Sequence, residues 1–99
     1  MSNAVMIISF NLAKGASKSD FLLAAEKVNN EFLSKQKGYI SYKQLVDGEN
    51  WVDLLTWETI EDAQNAMEVG GMNDANLKFF SFLDGESVKV QLFTVERSY

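Results

Sequence analysis

The stretch Trp51 to Ala66, WVDLLTWETIEDAQNA, leaves a chain little freedom, because it reads as a strand running almost without a loop into a capped helix. Trp51, Val52, Leu54, Leu55 and Trp57 form a β-rich run with apolar residues on both parities, so both faces of this strand are expected to be covered. The run stops at Glu58-Thr59. Thr59 is a good N-cap, since its hydroxyl can accept from an unpaired first-turn N–H. Glu61 and Asp62 follow where the helix dipole favours negative charge. Ala63, Ala66 and Met67 then give the helix a narrow apolar face.

The remaining elements follow from the same periodicities. Ala4 to Leu12 is a strand with Met6, Ile8, Phe10 and Leu12 on one face and Val5, Ile7, Ser9 and Asn11 on the other. The second face begins apolar and ends polar, as a recess lined by Ser9 and Asn11 would; Asn11 also suits the turn towards Gly15. Ser17 to Lys37 is an amphipathic helix with a stripe of Phe21, Ala25, Val28 and Phe32, widened by Leu22 and Leu33. Its Asn29-Asn30 pair is expected to face solvent, and Gly38 to close it as a left-handed cap. Tyr39 to Val46 is a second strand, joined to the Trp51 strand through Asp47-Gly48-Glu49-Asn50 with Asp-Gly as the turn signal. The helix from Thr59 fails at Gly70-Gly71, and Asn73 or Asp74 caps a short helix carrying Leu77, Phe79, Phe80, Phe82 and Leu83. Ser87 to Glu96 is the last strand.

The order is β-α-β-β-α-β, the α+β ferredoxin-like pattern, with a four-stranded antiparallel sheet and helices on one face. One domain over residues 4–97 is expected from 99 residues, a size that buries only about two-thirds of its unfolded surface. The opposite sheet face would be left bare and apolar, which predicts a homodimer with two such faces meeting about a two-fold axis.

Composition narrows the chemistry. A net charge of −5 argues against a nucleic-acid partner. No apolar run reaches the length of a membrane span and no signal peptide is legible, so a cytoplasmic protein is expected. There is no cysteine, hence no thiolate nucleophile and no disulfide. There is also no histidine, which removes the commonest general base, the Ser-His-Asp triad and a proximal haem ligand. Glu58, Glu61 and Asp62 sit where a helix start explains them, and no metal site is expected. Ser-Asn-Ala at positions 2 to 4 resembles a tag-cleavage remnant, so no function is ascribed to Met1 to Asn3.

Two motifs, KGYISYKQL at the entry to the second strand and TWETIEDAQNA at the strand-to-helix junction, together with the element order, resemble the dimeric α/β-barrel superfamily. Within it the chain resembles the antibiotic biosynthesis monooxygenase-like domains. The resemblance implies a dimeric α/β barrel and a cofactor-independent monooxygenase acting on a small aromatic or quinol-like compound. It implies Asn11, Tyr42 and Trp57 as catalytic donors, with Ser9, Phe79, Phe80 and Phe82 binding the ligand. Haem-degrading members resemble this chain at Trp57 but carry a His on the last helical segment, where this chain has none. Two other readings stand beside the enzyme: a non-catalytic dimer that binds a small apolar ligand or serves as a structural module, and, ranking lower, haem binding. Trp57 could equally be a core residue and Tyr42 a cross-strand partner.

Overall fold

The computed structural model describes residues 2–99; Met1, part of the tag-like stretch, lies outside the described residues. The elements are β1 (Ala4–Phe10), α1 (Lys18–Glu31), β2 (Tyr39–Asp47), β3 (Asn50–Trp57), α2 (Ile60–Gly70), α3 (Asp74–Phe80) and β4 (Lys89–Thr94). Single 3-10 turns occupy Leu33–Lys35 and Gly85–Ser87. The sheet has four antiparallel strands in the order β2-β3-β1-β4. The α+β ferredoxin-like expectation therefore holds, with the second helical segment split into α2 and α3.

Each helix starts where a side-chain cap supplies an acceptor. The Asp20 N–H donates to Ser17 Oγ at 3.2 Å, that of Asp62 to Thr59 Oγ1 at 3.1 Å and that of Asn76 to Asn73 Oδ1 at 3.1 Å. Such caps contribute about 1 kcal/mol each. The α1 stripe is buried at Phe21, Ala24, Ala25 and Val28, while Leu22 is 40% exposed and does not widen it. The expected single helix to Lys37 is interrupted at Phe32 (φ −125°, ψ −66°), after which the chain makes only the 3-10 turn. Asn29 does not face solvent freely, for the Tyr39 hydroxyl donates to its Oδ1 at 2.6 Å.

Two glycines make the entries to the β2–β3 hairpin possible. Gly38 has φ +82°, as expected of a left-handed residue, but it follows the 3-10 turn and delivers the chain into β2 instead of capping α1. A Cβ there would run into the Asp62 side chain. In the hairpin, Asp47 pairs with Asn50, so the two turn residues are Gly48 and Glu49, one step later than Asp-Gly. Gly48 has φ +62° and Glu49 does not have positive φ, the pattern of a II′ turn.

β3 is paired on both sides, and its burial alternates: Trp51, Asp53, Leu55 and Trp57 lie under the helices, while Val52, Leu54 and Thr56 are half-buried on the other face. Near Trp51 the helix side is filled by aromatics. Phe21 lies 5.1 Å from Trp51, 5.7 Å from Phe10 and 5.2 Å from Phe79 between ring centroids. Near Trp57, the apolar residues that α2 contributes to the buried face are small, Ala63, Ala66 and Gly70, beside the buried Asp62. The two largest fully buried side chains, Trp57 and Phe21, anchor the two ends of this layer.

The first and last strands are shorter than the sequence suggested. β1 gives way after Phe10 to a single bridge between Leu12 and Leu83, and β4 spans six residues. The face away from the helices carries Val5, Ile7, Val52, Leu54, Leu45 and Phe93 by register. No helix of the described residues is long and apolar enough to cross a membrane.

Gly38→Ala is expected to lower stability by more than about 2 kcal/mol, adding a side-chain clash to the left-handed strain. Gly48→Ala, with open space around it, is expected to cost only about 1 kcal/mol. Urea midpoints of the two variants check the difference.

Candidate functional site

Between the sheet and the helices lies a cavity of about 300 Å³, bounded by β1, β2, β3, β4 and all three helices. Its walls are mostly apolar: Met6, Ile8, Leu55, Val28, Phe32 and Phe79 are among them. Met67, Phe80 and Val90 also line it and are nearly half exposed, which places its mouth between α2, α3 and the β4 edge. α2 turns only small residues and Met67 to this space, Ala66 and Gly70 above the Trp57 end of the sheet, and then breaks before α3. A few polar groups interrupt the walls: Tyr42, Asp53, Asn76 and Trp57.

Asp53 is the least expected of these. It is 2% exposed, sits on the same parity as Trp51, Leu55 and Trp57, and pairs with Ile8 on β1 and Gln44 on β2. The Tyr42 hydroxyl donates to its Oδ2 at 2.9 Å, and Gln44 Nε2 donates to its Oδ1 at 3.1 Å. Among the described residues, no cation lines the cavity. Burial pushes the Asp53 carboxyl up from 3.8 to about 6, against the opposing pull of its hydrogen bonds from Gln44 and Tyr42. Burial, and then the neighbouring Asp53 charge, drive the Tyr42 hydroxyl well above the ordinary tyrosine range.

Trp57 is fully buried, and its Nε1–H has no hydrogen-bond partner, alone among the buried side-chain polar atoms of the described residues. A buried donor left without any partner, protein or water, costs about 1–3 kcal/mol, and such groups are rare enough to call for an explanation. Tyr39 packs edge-on against the indole at 6.0 Å. Asn76 is buried on α3, and its Nδ2 donates to the Gly70 carbonyl at 2.9 Å, which fixes the corner between α2 and α3.

Of the residues singled out from sequence, the cavity brings together Tyr42, Trp57, Phe79 and Phe80. Three lie elsewhere. Ser9 shares a row with Val52 and Lys89, on the sheet face away from the helices. Asn11 leaves β1 as a clamp: its Nδ2 donates to the Glu49 carbonyl at 2.7 Å and its N–H to Ser87 Oγ at 2.8 Å. Phe82 packs on Phe21 at 6.3 Å, with Lys78 Nζ over its ring at 5.4 Å. The sequence reading missed Asp53, Gln44 and Asn76. The signal for Asp53 was present, since period-2 alternation with two tryptophans and a leucine puts it on their face. Asn76, Phe79 and Leu83 recur at helical spacing in the same way.

No family model matches the sequence, and no curated protein matches it either. Solved structures do. SnoaB from Streptomyces nogalater, described as a cofactor-independent oxygenase, superposes with a TM-score of 0.80 at 13% identity, over 99% of this chain and 97% of that one. The chain shares its fold with this structure and with others provisionally named antibiotic biosynthesis monooxygenases. A protein from Chloroflexus aurantiacus provisionally named for that activity matches with a TM-score of 0.72 at 11% identity, over 99% of this chain and 97% of its own. One from Bacillus cereus, named likewise, gives 0.61 at 18% identity, over 100% and 98%. At these identities the shared feature is the fold, so what the site does has to be argued from the cavity.

The buried carboxylate makes stability depend on pH. Because the folded-state value of about 6 exceeds the unfolded 3.8, the folded chain binds more protons between them. Stability contributed by protonated Asp53 is full below 3.8 and lost as pH rises through about 6, on the order of 2–3 kcal/mol. Asp53→Asn, which keeps hydrogen-bonding capacity towards Tyr42 and Gln44, is expected to flatten this slope and to raise the urea midpoint at pH 7.

Proposed function

We propose that the protein is an oxygenase that binds a small, planar, apolar aromatic in the cavity and needs neither metal nor bound redox cofactor. The observation that carries this reading is an apolar cavity lined in part by Trp57, whose fully buried indole N–H has no partner. The volume of about 300 Å³ stands at the low end of ligand pockets, suited to a compound of a few fused rings. The fold shared with SnoaB supports the reaction class, and the lack of His and Cys in the sequence leaves few ligands for haem or a soft metal.

In such a reaction the substrate supplies the electrons. A quinol-like or anthrone-type compound loses a proton, and its anion passes electrons to dioxygen. For an anthrone methylene, one oxygen atom ends as the new carbonyl and the other leaves as water with both methylene hydrogens. The protein excludes bulk water and supplies fixed donors for the negative oxygen. Trp57 Nε1–H is the donor for that oxygen, Tyr42 holds the polar corner beside Asp53, and Phe79 and Phe80 form walls against the ring faces.

The working unit proposed is a homodimer in the cytoplasm. The second copy covers the apolar face formed by Val5, Ile7, Val52 and Leu54, where Leu45 and Phe93 are each 49% exposed at its edges.

Two measurements test these statements. With anthrone, the wild type is expected to consume oxygen and form the quinone, and Trp57→Phe to lower kcat by about 100-fold with a smaller change in KM. Absence of both binding and oxygen uptake across quinols and anthrones would overturn the reading. Native mass spectrometry is expected to show a dimer that Leu54→Lys converts to monomer; a wild-type monomer would refute the covered face.

A further inference from the structure

We infer that Asp53 is the general base of this cavity, taking the acidic proton of a bound carbon acid or phenol, and that Gln44 is a positioning residue that sets its basicity. The inference rests on the cavity being a substrate site and adds to it the group that starts the chemistry and the shape of the molecule it serves.

A carboxylate that is 2% exposed among apolar side chains is hard to explain by stability, since isolated buried charge is costly and no Lys or Arg lines the cavity to pair with it. Its partners are neutral donors, one to each oxygen: Tyr42 at 2.9 Å and Gln44 at 3.1 Å. A carboxylate oxygen has two acceptor sites, so each keeps one for an incoming proton. Among the described residues, the titratable groups near it are Tyr42 and, farther along β2, Tyr39, and β1, β4 and the helices present no charged side chain to the cavity. Tyr42 cannot compete as base, because its hydroxyl is held protonated and already donates to Asp53. Burial raises Asp53 to about 6, so at neutral pH it is ionised yet more basic than an exposed aspartate.

The strand also sets the substrate. Asp53 and Trp57 lie four residues apart on one face of β3, which separates their Cα atoms by about 13 Å. One small group cannot meet both, whereas a planar fused-ring compound bridges them. Its acidic C–H or O–H lies at the Asp53 end, and the oxygen that gathers charge lies across the ring at the Trp57 end. In the step, the substrate C–H or O–H bond breaks and an O–H bond forms on Asp53. The electron pair stays on the substrate, delocalised onto the oxygen that accepts from Trp57 Nε1–H.

Exchange of the anthrone methylene hydrogens in D2O under argon, followed by mass spectrometry from pH 4.5 to 8, isolates this step from reaction with oxygen. The wild type is expected to exceed the buffer rate, with a rise through about pH 6 and a plateau above it. Asp53→Asn is expected to lose about 100-fold or more. Gln44→Leu removes a bond that stabilises the carboxylate, so its pH limb is expected to move upward, which a purely structural role would not produce. Wild-type exchange at the buffer rate, a profile flat through pH 6, or Asp53→Asn exchanging like wild type would overturn the base. An unmoved limb in Gln44→Leu would overturn the role of Gln44. Should Asp53→Asn fail to fold, the wild-type profile decides alone. Exchange without oxygen uptake in air leaves the base standing and removes the oxygenase; oxygen uptake undiminished in Asp53→Asn does the reverse.

Discussion

The pairing of β3 on both sides fixes which of its side chains lie beneath the helices, and the rest of the site depends on that register. With β2 and β1 holding it, β3 cannot slip by one residue without sending Trp51, Leu55 and Trp57 to the other face. The same constraint carries Asp53 inward. At the Trp51 end, Phe10, Phe21 and Phe79 close the layer. At the Trp57 end, alanines on α2 stand where bulky residues would be needed to fill it. The cavity is thus a consequence of uneven side-chain size across one layer, not of a separate loop or lid.

Two of the polar features of the cavity oppose stability. An ionised Asp53 without a cation and an indole N–H without an acceptor each favour a looser or repacked core. A chain selected only to fold would hold apolar groups at both places. Local conflicts of this kind concentrate at functional sites, and here both sit on one strand, one face and one cavity. The solved neighbours add the fold alone, and the residues in the walls are this chain's own.

Much of the architecture was legible because it rests on short-range rules. Thr59, Ser17 and Asn73 announced the helix starts, Gly70-Gly71 the break, and strand alternation the order of elements. Tyr42, Trp57, Phe79 and Phe80, which line the cavity, were singled out through family likeness and aromatic content. Ser9 and Asn11 were misplaced relative to the cavity for one reason: they occupy the parity of β1 opposite to Met6 and Ile8, and only the pairing partners reveal which parity the helices cover. Phe82 was grouped with Phe79 and Phe80 by adjacency, but after Ser81 the chain leaves the helix and turns the ring towards Phe21. Asp53 was overlooked because attention went to the apolar residues around it, although its alternation with them was plain.

The central claim is that the cavity holds a planar ligand against the Trp57 indole. The chain has two tryptophans, so its nitrogen-proton correlation NMR spectrum should contain two indole signals, assignable by Trp51→Phe. Titration with an anthraquinone-type ketone is predicted to move the Trp57 indole proton downfield saturably, as an unpaired donor gains an acceptor, while the Trp51 signal stays near its place. Saturable binding with an unmoved Trp57 signal, or no binding at all, would contradict the account.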